Sequence, residues 1–410
     1  MARRAARSIL VIAIASALLG GASASALPPA AASAAAAPAA AAPAAAAPAA
    51  AAPAAAAPAA AAPATTGASP AIELSPATVA AVRADADWTV RAQLPDGAIA
   101  EYVDRVRISP YLASYAAVGL AQAASLTDDR RYADAAFAWL QWYQAHEGPS
   151  GFVTDYTVAA DGVEASTGTM DSTDAYAGMF LVAAGAWWKT TGDAAQLATL
   201  GPGVAGAVRA VLATQQPDGL TWALPDYHVS YLMDQSEALA GLRSAAVLAA
   251  AIGRTDVAGT AAAAAARMQT GINSLWDPPT GAYDWAVASD GAHQATTWSN
   301  LYPDALEQAW AVAYGAVPAA RAAALMSTFA AAGPSWDDPQ SIAVINGTRG
   351  PIGYWPVAAW AFARAGDRAE AVSGWSSIEA GAATASRDWP FTTASAGQLI
   401  SLIDPAGLPA

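Results

Sequence analysis

Beyond residue 70, apolar positions recur at helical spacing for most of the chain, and turn signals interrupt them repeatedly. The pattern predicts about twelve helices. They span 76–86, 110–125, 128–146, 171–190, 193–214, 234–252, 255–275, 303–315, 317–332, 353–365, 367–380 and 393–404. Strand signals are sparse, and pieces such as Tyr283-Asp284-Trp285 read as loop hairpins at most. The connections alternate in length. Leu126-Thr127, Thr191-Gly192, Gly253-Arg254 and Ala365-Gly366 are short turns, most of which lead into an acid near the next helix start: Asp128, Asp193, Asp256 and Asp367. The long connections are 147–170, 216–233, 276–302 and 333–352. Such alternation predicts helical hairpins joined by loops at the opposite end. Six of them closed in a ring make an all-α (α/α)6 toroid, whose inner helices are entered from the long loops. An open solenoid repeats at a steadier step than these helix starts do, which favours the closed form.

The first 70 residues read differently. Arg3, Arg4 and Arg7 precede an apolar run from Ile9 to Leu19, and small residues follow at Ala22-Ser23-Ala24 and Ala24-Ser25-Ala26. That predicts a secretory signal peptide over 1–26, with an apolar stretch short for a membrane span. The mature chain is therefore expected to be secreted or held at the cell envelope, with no integral span. Residues 27–70 are mostly Ala, with Pro38, Pro43, Pro48, Pro53, Pro58 and Pro63 at five-residue intervals. Each Pro removes a backbone donor and biases its predecessor away from the α region, so this tract reads as a semi-extended linker. The remainder, 71–410, is long enough for one large core.

A formal net charge of −14 speaks against a nucleic-acid partner, which needs a basic face. With no Cys, the chain has neither disulfides nor thiolate chemistry. His146, His228 and His293 are not at metal-ligand spacing, and Asp155, Asp161 and Glu164 do not form a calcium loop. No cofactor or metal is expected. The chain also lacks a G-x-S-x-G elbow and a phosphate-cradling Gly loop.

Three segments share an acid-x-x-acid pattern at helix starts: Asp171–Asp174, Asp234–Glu237 and Asp304–Glu307. Any one alone reads as a helix cap, since acids there accept backbone N–H groups and favour the positive helix end. Three of them on alternate helices, each after an aromatic loop, would converge on one cavity mouth. Carboxylates crowded in one cleft raise each other's pKa, which suits a general acid facing a general base. Glycosidic cleavage uses such a pair. Asp174 and Asp234 are the leading candidates, followed by Asp171, Glu237 and Asp304, with acid and base roles left open.

Aromatic residues gather in the same loops and helix starts: Tyr156, Tyr176, Trp222, Tyr227, Trp285, Trp298, Tyr302, Trp336, Tyr354, Trp355 and Trp389. They are candidates to stack on the apolar faces of sugar rings. Trp139, Trp142, Trp187, Trp188, Trp310 and Trp360 sit inside apolar helices and read as core. Tyr227 and His228, with Tyr231, are an alternative set for proton abstraction by a polysaccharide lyase. A glycan-binding or polymer-assembly protein without catalysis is a third reading.

The segments Met170-Asp171-Ser172-Thr173-Asp174-Ala175-Tyr176 and Leu232-Met233-Asp234-Gln235-Ser236-Glu237 resemble inner-helix starts of the six-hairpin glycosidase superfamily. Leu94-Pro95-Asp96-Gly97-Ala98-Ile99, Pro110-Tyr111 and Trp298-Ser299-Asn300-Leu301-Tyr302-Pro303-Asp304 support the likeness, which covers roughly 90–405. The resemblance implies hydrolysis of poly- or oligosaccharides by a carboxylate pair in the toroid cavity. The same toroid also serves polysaccharide lyases and terpenoid or prenyl enzymes. The latter fit poorly here, without the Cys of a zinc prenyl site or a DDxxD-type cluster.

Overall fold

The computed structural model describes residues 72–332 and 335–404. The predicted signal peptide and linker lie outside the described residues. The domain is mostly helical. In chain order its helices are α1 (Pro76–Ala92), α2 (Pro110–Thr127), α3 (Arg130–His146), α4 (Thr173–Thr191), α5 (Ala194–Thr199), α6 (Gly201–Thr214) and α7 (Leu232–Ala251). They continue as α8 (Thr255–Ser274), α9 (Asp304–Ala313), α10 (Ala319–Ala332), α11 (Pro356–Ala365), α12 (Arg368–Thr384) and α13 (Thr393–Ile403).

Two classes of helix differ in what they bury. In α4 every residue from Thr173 to Trp187 is buried, as expected of a helix surrounded by other helices. In α8 the buried set is Ala261, Ala264, Ala265, Met268, Gly271 and Ile272, a single stripe at helical spacing. The fully buried class follows the long connections. Its members contact one another in chain order, α2 to α4, α4 to α7, α7 to α9, α9 to α11 and α11 to α13, and α13 packs back on α2. Small residues let these helices meet closely. A Cβ on Gly119 would collide with the Gly397 backbone, and one on Gly241 would meet the Gly178 carbonyl at 2.5 Å. The single-stripe helices flank this set: α1 lies on α2 and α13, α3 on α2 and α4, α8 on α7, and α12 on α11.

Several boundaries depart from the sequence pattern for local reasons. Asp128 adopts a left-handed conformation (φ 52°) that ends α2, and Asp129 caps α3 by accepting from Arg131 N. The predicted 193–214 helix divides into α5 and α6 at Leu200-Gly201, with Pro202 starting the second. Asp193, Asp367 and Ser75 cap as acids and hydroxyls do, each accepting a backbone N–H of the first turn. α1 runs past its acids to Ala92 because Asp85, Ala86, Trp88 and Thr89 are all buried.

The long connections hold more extended structure than their composition signals. β1 (Arg107–Ile108), β2 (Tyr156–Val158) and β3 (Glu164–Ser166) form one antiparallel sheet. β4 (Ser230–Tyr231), β7 (Ala286–Val287) and β8 (His293–Gln294) form another, and β5 (Trp276–Asp277) pairs with β6 (Ala282–Tyr283). β9 (Asn300–Tyr302) lies parallel to β10 (Ile342–Ile345), which turns back antiparallel into β11 (Thr348–Pro351). Short strands pair backbone groups within these connections.

Candidate active site

Three acids at three helix starts face one cavity of about 350 Å³. Asp171 stands just before α4, Asp234 is in the first turn of α7, and Glu307 is in the first turn of α9. Rings of Tyr227, Tyr231, Trp285 and Tyr302 form much of the wall, with Gln294, Asn300 and Asn346 between them. Among the described residues no Arg, Lys or His lines it.

The small sheets place the rings. The register Tyr231↔Ala286 between β4 and β7 brings Tyr231 beside Trp285, their centroids 6.1 Å apart and their planes 22° from parallel. Tyr302, at the end of β9, stacks on Trp355 at 5.3 Å. The Tyr227 and Tyr231 hydroxyls are 3.0 Å apart. Asn346 and Gly347 make the β10–β11 turn, both at positive φ (52° and 70°), as a two-residue Asn-Gly hairpin requires. Asn346 N donates to the Tyr302 carbonyl at 2.7 Å, which holds the turn against the cavity it helps to line.

The environments of the acids differ. Asp234 is 5% exposed, and no hydrogen bond to its carboxyl is present among the described residues. Burial raises its pKa well above the usual range, and the charges of Asp174, Glu237, Asp171 and Glu307 push the same way. Glu307 is also raised by burial, but its carboxylate accepts from Met233 N at 3.2 Å at the α7 N-terminus, which opposes the rise. Asp171 is half-buried and the wettest of the three.

The other predicted acids lie outside the cavity wall. Asp174 is fully buried, accepting from Thr221 Oγ1 at 2.6 Å and from Ala175 N at 2.9 Å, and burial lifts it to about 7. Glu237 is fully buried deeper on α7. Its Oε1 accepts from the Tyr111 and Tyr115 hydroxyls and from Trp310 Nε1, while Oε2 has no partner among the described residues. Burial pushes it to about 8 against those three donors. Asp304 accepts from Thr297 N at 2.8 Å and Asn300 Nδ2 at 2.6 Å, so it braces the loop that carries Asn300.

The remaining predicted aromatic residues and His228 divide by place. Trp222 and His228 stack at 3.7 Å next to the Tyr227 loop, and His228 Nε2 lies 2.9 Å from the Pro225 carbonyl. Tyr176 is buried, donates to Asp155 Oδ1 at 2.8 Å and accepts from Asp171 N at 3.3 Å, which ties it to the Asp171 backbone. Tyr156 packs edge-on against Trp142 and His146, and Trp298 reaches toward the Thr280 carbonyl. Trp336 is buried against Phe362, Tyr354 packs on Phe391, and Trp389 is half-buried before a cis proline.

Sequence reasoning gave less weight to Glu307 than the geometry does, and it missed Gln294 and Asn346 altogether. Glu307 was the closing acid of the third motif, where a cap reading competed. Asn346-Gly347 carried a readable signal as a hairpin dipeptide. Among the described residues no cluster of His, Cys, Asp or Glu has the arrangement of a metal site. No described helix is long and apolar enough to cross a membrane.

No family model and no curated protein matches this sequence. Solved structures do share its fold. A GH78 family rhamnosidase from a Bacillus species aligns with TM-score 0.53 and 16% identity over 80% of this chain and 35% of that one. A Klebsiella oxytoca rhamnosidase with rhamnose bound aligns with TM-score 0.57 and 16% identity over 82% of this chain and 66% of that one. A glycosidase in complex with glucose gives TM-score 0.57 and 16% identity, covering 81% of this chain and 97% of its own. This chain thus spans about a third of the first rhamnosidase and just under two thirds of the second.

Proposed function

We propose that the domain is an (α/α)6 toroid and that it hydrolyses glycosidic bonds in an exported setting, at the cavity where Asp171, Asp234 and Glu307 meet. The cyclic packing of α2, α4, α7, α9, α11 and α13 supports the toroid. The observation that carries the activity is one cavity with three carboxyl groups from three helix starts and stacked rings on its walls. Fold likeness to rhamnosidases and a glucose-bound glycosidase agrees with it.

The roles follow from the environments. Asp234 is buried, is surrounded by carboxyl groups and receives no hydrogen bond, so it keeps its proton toward neutral pH and gives it to the leaving glycosidic oxygen. Asp171, the wettest, takes a proton from the attacking water. Glu307, held by the α7 backbone, lies beside the developing positive charge on the sugar. Asp234→Asn is expected to lower kcat on a natural glycan by about a hundred- to ten-thousand-fold. It should act far less on aryl glycosides with a good leaving group, which need no protonation. An equal loss on both substrates, with helical circular dichroism intact, would remove Asp234 from the acid role. Lyase chemistry is weaker on this geometry: His228 is turned to Pro225, and no cavity-lining base pairs with a uronate carboxylate. Export rests on the N-terminal pattern, and cell fractionation tests it.

A further inference from the structure

The cavity walls carry an excess of hydrogen-bond acceptors. Asp234 is nineteen-twentieths buried and faces the cavity with no donor among the described residues, and even while it keeps its proton its carbonyl oxygen accepts. Asp171 and Glu307 add two more carboxyl groups, and none of the described lining residues is basic. A neutral sugar hydroxyl both donates and accepts, whereas an ammonium group only donates, through three N–H bonds. The Tyr231 and Trp285 faces in the same wall also attract cations. A bare metal ion fits less well, since no cluster of acids with metal-site geometry occurs among the described residues.

We infer that the sugar bound in this cavity carries a free amine, so that the substrate is a glycan containing unacetylated amino-sugar residues. The inference rests on the hydrolase reading for the cleavage step and on the acceptor-rich lining for the substrate. Acetylation would remove the charge and two of the donors, and the carboxyl groups would then meet one another across the cavity.

The test is calorimetric titration of the whole protein with glucosamine oligomers, N-acetylglucosamine oligomers and glucose oligomers at about pH 6, where a primary amine is cationic. Cleavage of each is followed in parallel. The amino oligomer should bind about tenfold tighter than either neutral one, a gap of about 1.4 kcal/mol. Glu307→Gln should shrink that gap while its circular dichroism stays that of the wild type. Equal or weaker binding of the amino form overturns the substrate assignment, and if the neutral oligomers are cleaved, the hydrolase reading stands. Failure to bind or cleave any of the three overturns both. A tighter isotherm with calcium chloride than with the amino oligomer would replace the amine with a metal ion and overturn the assignment.

Discussion

Glu237 illustrates how closely the surrounding side chains can hold a buried carboxyl group. Three donors converge on Oε1, and Oε2 is buried alone, an arrangement that suits the protonated acid. Its pKa of about 8, set chiefly by burial, lies above the usual 4.5. The native state therefore holds this proton more tightly than the unfolded chain does. The resulting stability is full below about pH 4.5 and is lost as pH rises toward about 8. Asp174, raised to about 7, adds to the same slope. Glu237→Gln keeps an acceptor for the three donors and cannot ionise. Its melting temperature should match the wild type near pH 5 and exceed it near pH 8, reflecting a stability difference on the order of a few kcal/mol at most. A wild-type melting temperature that stays flat between those pH values would contradict this account. At this scale the sequence was informative about residue type and less so about place. The acid-x-x-acid spacing put Asp174 and Asp234 first, with Asp171, Glu237 and Asp304 behind them; of the six motif acids, Asp171, Asp234 and Glu307 line the cavity, while Asp174 and Glu237 are buried and Asp304 braces a loop. Spacing along one helix cannot tell which carboxyl reaches a cavity and which turns into the core.

Among the helices, which members lie inside was legible from connection length, since the helices entered from long loops were expected to be the inner ones and are the fully buried ones. Close helix approach was not legible, because a glycine inside an apolar run carries no periodic signal. Gly397 in α13 shows what depends on it. A Cβ there would strike the Tyr115 carbonyl of α2, so the two helices would have to move apart. Gly397→Ala is expected to cost about 1–3 kcal/mol, read as a lowered melting temperature. Ala at exposed Gly259, which has open space around it, is the control and should be neutral or stabilising. Short strands escaped the sequence reading for a related reason. Pairs such as Ser230-Tyr231 and Ala286-Val287 are too brief for alternation to appear, and their pairing partners lie more than fifty residues apart.

Across the whole molecule, the ends of the described chain are tied together. Arg387, between α12 and α13, donates to Asp85 of α1 at 2.5 Å and to Glu379 of α12 at 2.6 Å, with all three side chains largely buried. Removing the guanidinium leaves two acids facing each other in a low-dielectric site. Arg387→Ala is expected to cost about 3–5 kcal/mol, measured by denaturant unfolding, whereas Arg130→Ala in an exposed pair should cost less than about 1 kcal/mol. Alternating connection lengths made the hairpin order readable, but the seam between first and last helices involves partners about 300 residues apart, beyond any local pattern.

The return of α13 onto α2 also limits how such a chain can change over time. A stacked array can gain or lose a unit at its end, because the newly exposed face needs only a polar cap. On the toroid reading proposed above, the described helices have no end unit. Excising one hairpin would leave two apolar faces without a neighbour and would require every remaining crossing angle to readjust at once. Growth and loss are thus confined to the long connections, whose lengths the packing does not dictate and from which the cavity walls are made. Innovation in ligand choice can proceed there while the number of helices stays fixed.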